Sequence, residues 1–324
     1  MRIIAIEEHI TTPLHDGHRP DTPRRRISVG ERGKRLGHDV IAELHDIAET
    51  RLRAMDEVGI DLQVLSLTQP GCQSLAAADA VAVATDANDR LYEAVKANPT
   101  RFAAFAALPT PDVGAAVREL ERAIVKLGFK GAMINGHTNG EFLDDRKFWP
   151  IFEAAQALAV PIYLHPRDPH PAAAQVYFDK YEELSAAAWG FTMDTVSHFL
   201  RMVFGGVFDA FPRLQLALGH MGEGIPYFLH RLEDHTSLAA KRRGLKRTTA
   251  EVIHDNVSVT TSGNFSIAAL LCAVQVLGVE KVIFSVDWPY ESNRIAVDFL
   301  KHLPLGPDDL EKIAHGNVER LLKL

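Results

Sequence analysis

Four residues of metal-ligating type stand where short apolar runs stop. Glu7 and His9 lie in Ile6-Glu7-Glu8-His9, His165 ends Ile162-Tyr163-Leu164-His165, and Asp287 ends Ile283-Phe284-Ser285-Val286-Asp287. His220 closes a further run, Leu216-Ala217-Leu218-Gly219-His220. A buried strand ending in one polar side chain delivers it to the rim of a sheet, and several such ends can converge on one ion. Glu7 and His9 are two residues apart, so on a strand they share a face, while Glu8 points toward a helical layer or solvent. His165 and Asp287 are the third and fourth candidate ligands. Imidazole and carboxylate donors without thiolate suit Zn²⁺, Mn²⁺ or Mg²⁺, and two carboxylates favour the harder ions. A lone strand-end His is more often a hydrogen-bonded structural residue; the four together carry the metal reading.

The elements that must position these residues are short β-rich runs alternating with helical patterns. Candidate strands are Arg2–Glu8, Leu62–Thr68, Phe102–Leu108, Gly131–Asn135, Pro161–His165, Leu214–Gly219, Val257–Thr261 and Lys281–Val286. Candidate helices include Ile41–Val58, Ala76–Lys96, Val113–Leu127 and Phe148–Ala159. Many strands are apolar almost throughout, as when both faces are covered by protein. An open doubly wound sheet would gather ligands at one switch point. Polar ends after the first, fifth, sixth and eighth strands converge only if the sheet closes, so the expected fold is an α/β (β/α)8 TIM barrel. The chain shows no internal repeat, low-complexity tract or linker, and residues 1–324 read as one barrel domain. Two irregular segments, Thr11–Gly37 and Arg167–Ala188, leave from carboxyl ends of strands, where barrel loops build active sites. The first reads as an inserted lid loop. Its basic residues Arg19, Arg24, Arg25, Arg26, Arg32, Lys34 and Arg35 suit either a solvated loop or a lid that draws in an anion.

A net charge of −7 provides no global basic field for nucleic acid. No apolar run approaches a membrane span, and acidic residues follow the amino terminus too soon for a secretion signal, so a cytoplasmic protein is expected. Cys72 and Cys272 form neither a disulfide framework nor a thiolate zinc site.

The motifs Ile6-Glu7-Glu8-His9, Arg101-Phe102-Ala103-Ala104-Phe105-Ala106-Ala107-Leu108-Pro109, Leu164-His165-Pro166-Arg167, Leu218-Gly219-His220-Met221-Gly222-Glu223-Gly224, Thr260-Thr261-Ser262-Gly263-Asn264-Phe265 and Phe284-Ser285-Val286-Asp287-Trp288-Pro289 appear in order along the chain. As a set they resemble the amidohydrolase superfamily, specifically its metal-dependent non-oxidative decarboxylases of hydroxylated benzoates. The resemblance implies one divalent ion, Mn²⁺ or Zn²⁺, held by Glu7, His9, His165 and Asp287, with no organic cofactor. It implies His220 and Glu223 beside the substrate, Asp287 as general acid, and an ortho-hydroxybenzoate such as 2,6-dihydroxybenzoate releasing carbon dioxide and a phenol, reversibly. A strand-end His followed three residues later by Glu also lets the carboxylate turn back onto the imidazole. The His220–Glu223 pair is the competing proton source.

Hydrolytic relatives typically begin His-x-His and carry a bridging lysine after the fourth strand. Here Glu7 takes the first position and the fourth strand ends Ile134-Asn135-Gly136. A hydrolase of lactones or amides on the same barrel is the alternative, and a catalytically dead binding scaffold a third. Trp189, Phe191, Phe265 and Trp288 are candidates to sandwich a small aromatic acid, with core packing as the alternative for each. Arg231 matches a family position that reaches a neighbouring subunit's site, implying a homodimer or homotetramer. Asn135 and His137 are candidates for the rim.

Overall fold

In the computed structural model of the chain, residues 1–19 and 23–324 are described, the side chains of 23–28 excepted. The strands are β1 (Ile4–Ile10), β2 (Leu62–Leu67), β3 (Phe102–Ala104), β4 (Ala106–Ala107), β5 (Ala132–Asn135), β6 (Ile162–His165), β7 (Leu216–Leu218), β8 (Val257–Thr260) and β9 (Val282–Ile283). Every ladder between them is parallel, in two arcs, β1-β2-β3 and β4-β5-β6-β7-β8-β9. The expected third strand is interrupted at Phe105 yet serves both arcs: Phe105 N–H donates to Leu65 O at 2.9 Å and Ala106 N–H to Gly131 O at 2.9 Å. At the other seam Asp287 N–H donates to Glu7 O (3.0 Å) and His9 N–H to Trp288 O (2.7 Å). These bonds close the ring of eight, as the distribution of polar strand ends requires.

The eighth strand is shorter than its apolar run. Beyond Ile283 the backbone donors leave the ladder: Phe284 N–H goes to Ile313 O (2.9 Å), Ser285 N–H to Thr261 Oγ1 (2.9 Å) and Val286 N–H to the Glu8 carboxylate (3.0 Å). The barrel interior is filled by alternate strand residues, among them Ile4, Ile6, Val64, Phe105, Met133 and Tyr163. A larger apolar layer, including Ala5, Leu65, Leu120 and Phe152, lies between strands and helices. Strict alternation from Ile4 and Ile6 would turn Glu8 inward. The ladder with β2 instead shifts register between Ala5 and Glu8, and the N–H groups of Ile6 and Glu7 both donate to Ser285 Oγ, at 3.1 and 2.7 Å. This bulge places Glu7 and His9 on the inner face and Glu8 behind the sheet.

Three further expected elements differ. The helix expected over Ile41–Val58 is two, Val40–His45 and Glu49–Asp56, because Asp46 accepts from Ala48 N–H (2.8 Å) and Thr50 N–H (2.9 Å) and so opens a new helix. The segment read as a lid loop carries helices Pro13–His18 and Pro23–Leu36, and the excursion after β6 carries Pro171–Phe178. Each begins with proline, whose fixed φ suits the first turn of a helix as well as a loop. Among the described residues no helix is long and apolar enough to cross a membrane.

Candidate functional site

The structure brings Glu7, His9, His165 and Asp287 together, with one donor atom of each within 4.8 Å of the others. β1 supplies the first two, the end of β6 the third, and the turn after β9 the fourth. Glu7 Oε1 is 3.2 Å from His165 Nε2, and His9 Nε2 is 3.2 Å from Asp287 Oδ1. Glu7 Oε1 and His9 Nε2 are buried without a hydrogen-bond partner, so both lone pairs are left facing the centre of the group. Burying such atoms unpaired is costly. Two imidazoles and two carboxylates around one point, with orphaned donor atoms, fit a single divalent ion.

The other oxygen of Glu7 explains why Oε1 turns inward. Oε2 accepts from the hydroxyls of Tyr163 and Ser262 and, at 3.3 Å, from Thr260. Tyr163 lies two residues before His165 on the same face of β6, so alternation along that strand could have found it. Ser66 Oγ, 3.4 Å from His9 Nδ1, orients the second imidazole from the neighbouring strand. Such partners fix which atom of a ligand faces the ion. A Cβ at Gly219 would lie 2.9 Å from Glu7 Oε2, so the backbone there approaches closely enough to require glycine.

His220 sits beside the group in a left-handed turn, where His220, Met221 and Glu223 all have positive φ. Non-glycine residues held there are strained, a pattern that clusters at functional sites. The turn folds Glu223 back: its Oε1 is 2.7 Å from His220 Nδ1, while its Oε2 accepts from Thr192 Oγ1 at 2.6 Å. His220 Nε2 is then 3.5 Å from Glu7 Oε1 and 3.9 Å from Asp287 Oδ2. Burial would lower the pKa of His220, but the carboxylates of Glu223 and Glu7 outweigh it and hold the imidazole well above its usual range. Burial would raise Asp287, but the neighbouring imidazoles of His220 and His9 leave it below the usual carboxylate range. Glu7 is likewise lowered, its desolvation overcome by His220, His165 and His9.

The aromatic candidates scatter. Trp288 is buried with its ring 5.0 Å from that of His38, and Phe265 packs against Phe299 at 5.8 Å in the outer layer. Trp189 is 52% exposed and Phe191 half-buried. Arg231 is exposed on the helix Ile225–Arg242. Asn135 pairs in register with His165, with its Oδ1 buried and unpartnered. His137 turns away to accept from Gly140 N–H at 3.1 Å. Of the lid cations, Arg19 pairs with Asp16 at 3.1 Å, and Arg32 pairs with Glu291 and donates to Tyr290 O at 2.6 Å. Arg24, Arg25 and Arg26 lie outside the described side chains.

A closed parallel barrel with such a group at its carboxyl rim defines a metal-dependent enzyme of the amidohydrolase type. A family model described as amidohydrolase matches residues 36–324, and the chain belongs to that family. It is similar to a gamma-resorcylate decarboxylase of Polaromonas sp., 41% identical over 99% of this chain and 98% of that one. Among solved structures it is similar to a dihydroxybenzoic acid decarboxylase of Polaromonas sp. with bound manganese and the inhibitor 2-nitroresorcinol. The TM-score is 0.89, at 38% identity over 100% of this chain and 97% of that one. A 5-carboxyvanillate decarboxylase of Sphingomonas paucimobilis is equally alike in shape, with TM-score 0.91, 36% identity, and 100% and 99% of the two chains covered.

Proposed function

We propose that the chain is a carboxy-lyase that removes carbon dioxide from an ortho-hydroxybenzoate, with 2,6-dihydroxybenzoate its first candidate substrate. The observation that carries this reading is the four-residue group with His220 Nε2 3.9 Å from Asp287 Oδ2. Glu7, His9, His165 and Asp287 would hold one divalent ion, manganese or zinc, which would supply Lewis-acid stabilisation of the negative charge on a bound phenolic acid. No further cofactor has a part in the scheme.

Direct loss of carbon dioxide would leave an unstable electron pair in the plane of the ring. Protonating the carboxyl-bearing carbon first avoids this. Asp287 delivers the proton; the carbon–carbon bond then breaks, its electrons return to the ring, and carbon dioxide departs. Because Asp287 rests as a carboxylate, it must first be loaded, and His220 is the adjacent cation able to do so. His220 is partly exposed, so solvent replaces its proton and one proton is consumed per turnover. Glu223 orients His220 and stabilises its charged form. The reverse reaction is carboxylation of the phenol.

Trp189, just before the helix Gly190–Phe204 that carries Thr192, and Phe191, in its first turn, lie on the side of Glu223 and flank the ring in this reading. Trp288 and Phe265 back the pocket from the packed layer. The chain assembles as a homodimer or homotetramer, for which the support is exposed apolar residues on two segments: Val176, Tyr177 and Tyr181, and Tyr227, Phe228 and Leu238. Arg231 lies exposed on the second of these and in this reading reaches a partner's site. The unpaired thiols of Cys72 and Cys272 suit the cytoplasm.

Purified protein loaded with Mn²⁺ should convert 2,6-dihydroxybenzoate to resorcinol with stoichiometric carbon dioxide, and more efficiently than it converts 5-carboxyvanillate. Preference for 5-carboxyvanillate would move the substrate assignment. Hydrolysis of lactones or amides with no action on any hydroxybenzoate would overturn the reaction class.

A further inference from the structure

Behind β1, away from the ion group, lies a buried polar network that the chemistry above does not use. Glu8 is fully buried, and four donors point at its two oxygens. Oε1 accepts from Ser285 Oγ at 3.1 Å and Val286 N–H at 3.0 Å. Oε2 accepts from Gln63 Nε2 at 3.1 Å and Trp288 N–H at 3.4 Å. Gln63 Oε1 accepts in turn from Arg51 Nη1 at 3.1 Å, and Arg51 Nη2 donates to the backbone carbonyl of His9 at 2.5 Å. Arg51, on the helix Glu49–Asp56, is buried as well.

Burial raises the Glu8 carboxyl, while Val286 N–H and the Arg51 guanidinium pull it back toward its charged form. Four donors on its oxygens favour the carboxylate. A carboxylate and a guanidinium are expensive contents for a protein interior, and apolar side chains of similar size would fill the space with less desolvation. What apolar side chains could not do is hold backbone groups at fixed places. The N–H groups that Glu8 takes belong to the residues on either side of Asp287. Asp287 itself has φ 78°, in the left-handed region that a non-glycine residue keeps only when its surroundings impose it. The carbonyl that Arg51 takes belongs to His9.

We propose that Glu8, Gln63 and Arg51 form a positioning relay behind the barrel wall. Glu8 clamps the backbone on both sides of Asp287, and Arg51 holds the backbone of His9. Two ion-binding residues from strands that meet at the barrel seam are thus set by one network, which touches neither ion nor substrate. The bulge in β1 is what makes this arrangement available, because it sends Glu8 outward between two inward ligands. The inference rests on the ion-site reading, and the same titration checks both.

Mn²⁺ binding to metal-free wild type tests the ion site; no binding by wild type would overturn that reading and the relay with it. Given wild-type binding, Glu8→Gln should weaken Mn²⁺ affinity by about 10–100-fold, the usual effect of removing a residue that orients a ligand. The ion-saturated variant should lose kcat with KM for substrate little changed. Phe152→Leu, in the apolar layer, provides a variant of lowered Tm with the relay intact. Arg51→Lys keeps the charge but cannot reach both Gln63 and the His9 carbonyl; it should weaken Mn²⁺ binding in the same direction, and it stands in if Glu8→Gln does not fold. Wild-type affinity and kcat in the relay variants, or losses no larger than those of Phe152→Leu at equal Tm, would overturn the proposal.

Discussion

Two groups of buried histidines and carboxylates lie near the carboxyl ends of the strands, and they differ in what their imidazoles face. In the first, His220 faces Glu223 and Glu7 and is held well above its usual pKa. In the second, which follows β5 and β6, His137 is pushed down to about 4 by burial, Arg167 and His170, and His198 down to about 3 by burial, His137 and Arg201. The hydrogen bonds agree. His137 Nδ1 accepts from Gly140 N–H at 3.1 Å, and His198 Nε2 accepts from Leu143 N–H at 2.9 Å, with Phe142 between the two rings. These imidazoles are neutral acceptors already committed to loop backbone. Those of the first group face carboxylates instead: His9 faces Asp287, His165 faces Glu7, and His220 faces Glu223. Histidine content therefore does not mark the site; what the imidazoles face does.

The comparison breaks most visibly when one histidine is removed from each group. His165→Ala should abolish tight Mn²⁺ binding and lower kcat/KM by at least ~10³-fold, since both substrate grip and charge stabilisation go with the ion. His198→Phe should leave metal content and kcat near wild type and instead cost about 1–3 kcal/mol of stability by stranding the Leu143 N–H. Metal analysis, turnover and denaturant unfolding on both proteins decide it. Equal loss of activity would show that the two groups work as one.

Within the first group the question is which residue hands over the proton. Asp287→Asn keeps an oxygen donor but cannot deliver a proton, so with ion occupancy measured in the same sample it should lose ~10²–10⁴-fold in kcat. His220→Asn should cost less, because Asp287 can still be loaded slowly from solvent. A metallated Asp287→Asn that turns over while His220→Asn is dead would transfer the donor role to the His220–Glu223 pair.

Much of this site can be read from residue order, because strand ends are written as apolar runs that stop at a single polar residue. Glu7, His9, His165 and Asp287 follow from that pattern, and the three-residue spacing allows the fold-back of Glu223 onto His220, a pair that the family resemblance singles out. Closure follows too, since the polar ends lie too far apart in strand order for an open sheet. The bulge does not follow. Ile4, Ile6 and Glu8 alternate like one face, and only the shared Ser285 hydroxyl, some 280 residues away in sequence, reverses them. Aromatic residues are the least legible. Phe265 and Trp288 stand in motifs beside ligands, yet their rings pack into the outer layer, because a residue's direction at a strand end depends on local turns that composition does not encode. Proline misleads for the same reason, marking a loop or a first helical turn with one fixed φ.

The smallest expected effect belongs to the second group. Asp194, with its Oδ2 buried and unpartnered, is raised to about 6 by burial, which Arg167 and the His170 N–H only partly offset. A carboxyl raised in the folded state binds its proton more tightly there than in the unfolded chain. Its contribution to stability is therefore fully present below the unfolded value, 3.8, and is lost as pH rises through about 6. Asp194→Asn removes the charge that must be buried at neutral pH, at the expense of its attraction to Arg167. The variant should gain about 1–3 kcal/mol over wild type at pH 7.5, and the gain should shrink toward zero by pH 4. Denaturant unfolding of both proteins at several pH values isolates this term, because contributions common to the two cancel in the difference. A difference that stays constant with pH would mean that Asp194 is an ordinary carboxylate balanced by Arg167. The contrast between His220 and the second group would then rest on His137 and His198 alone.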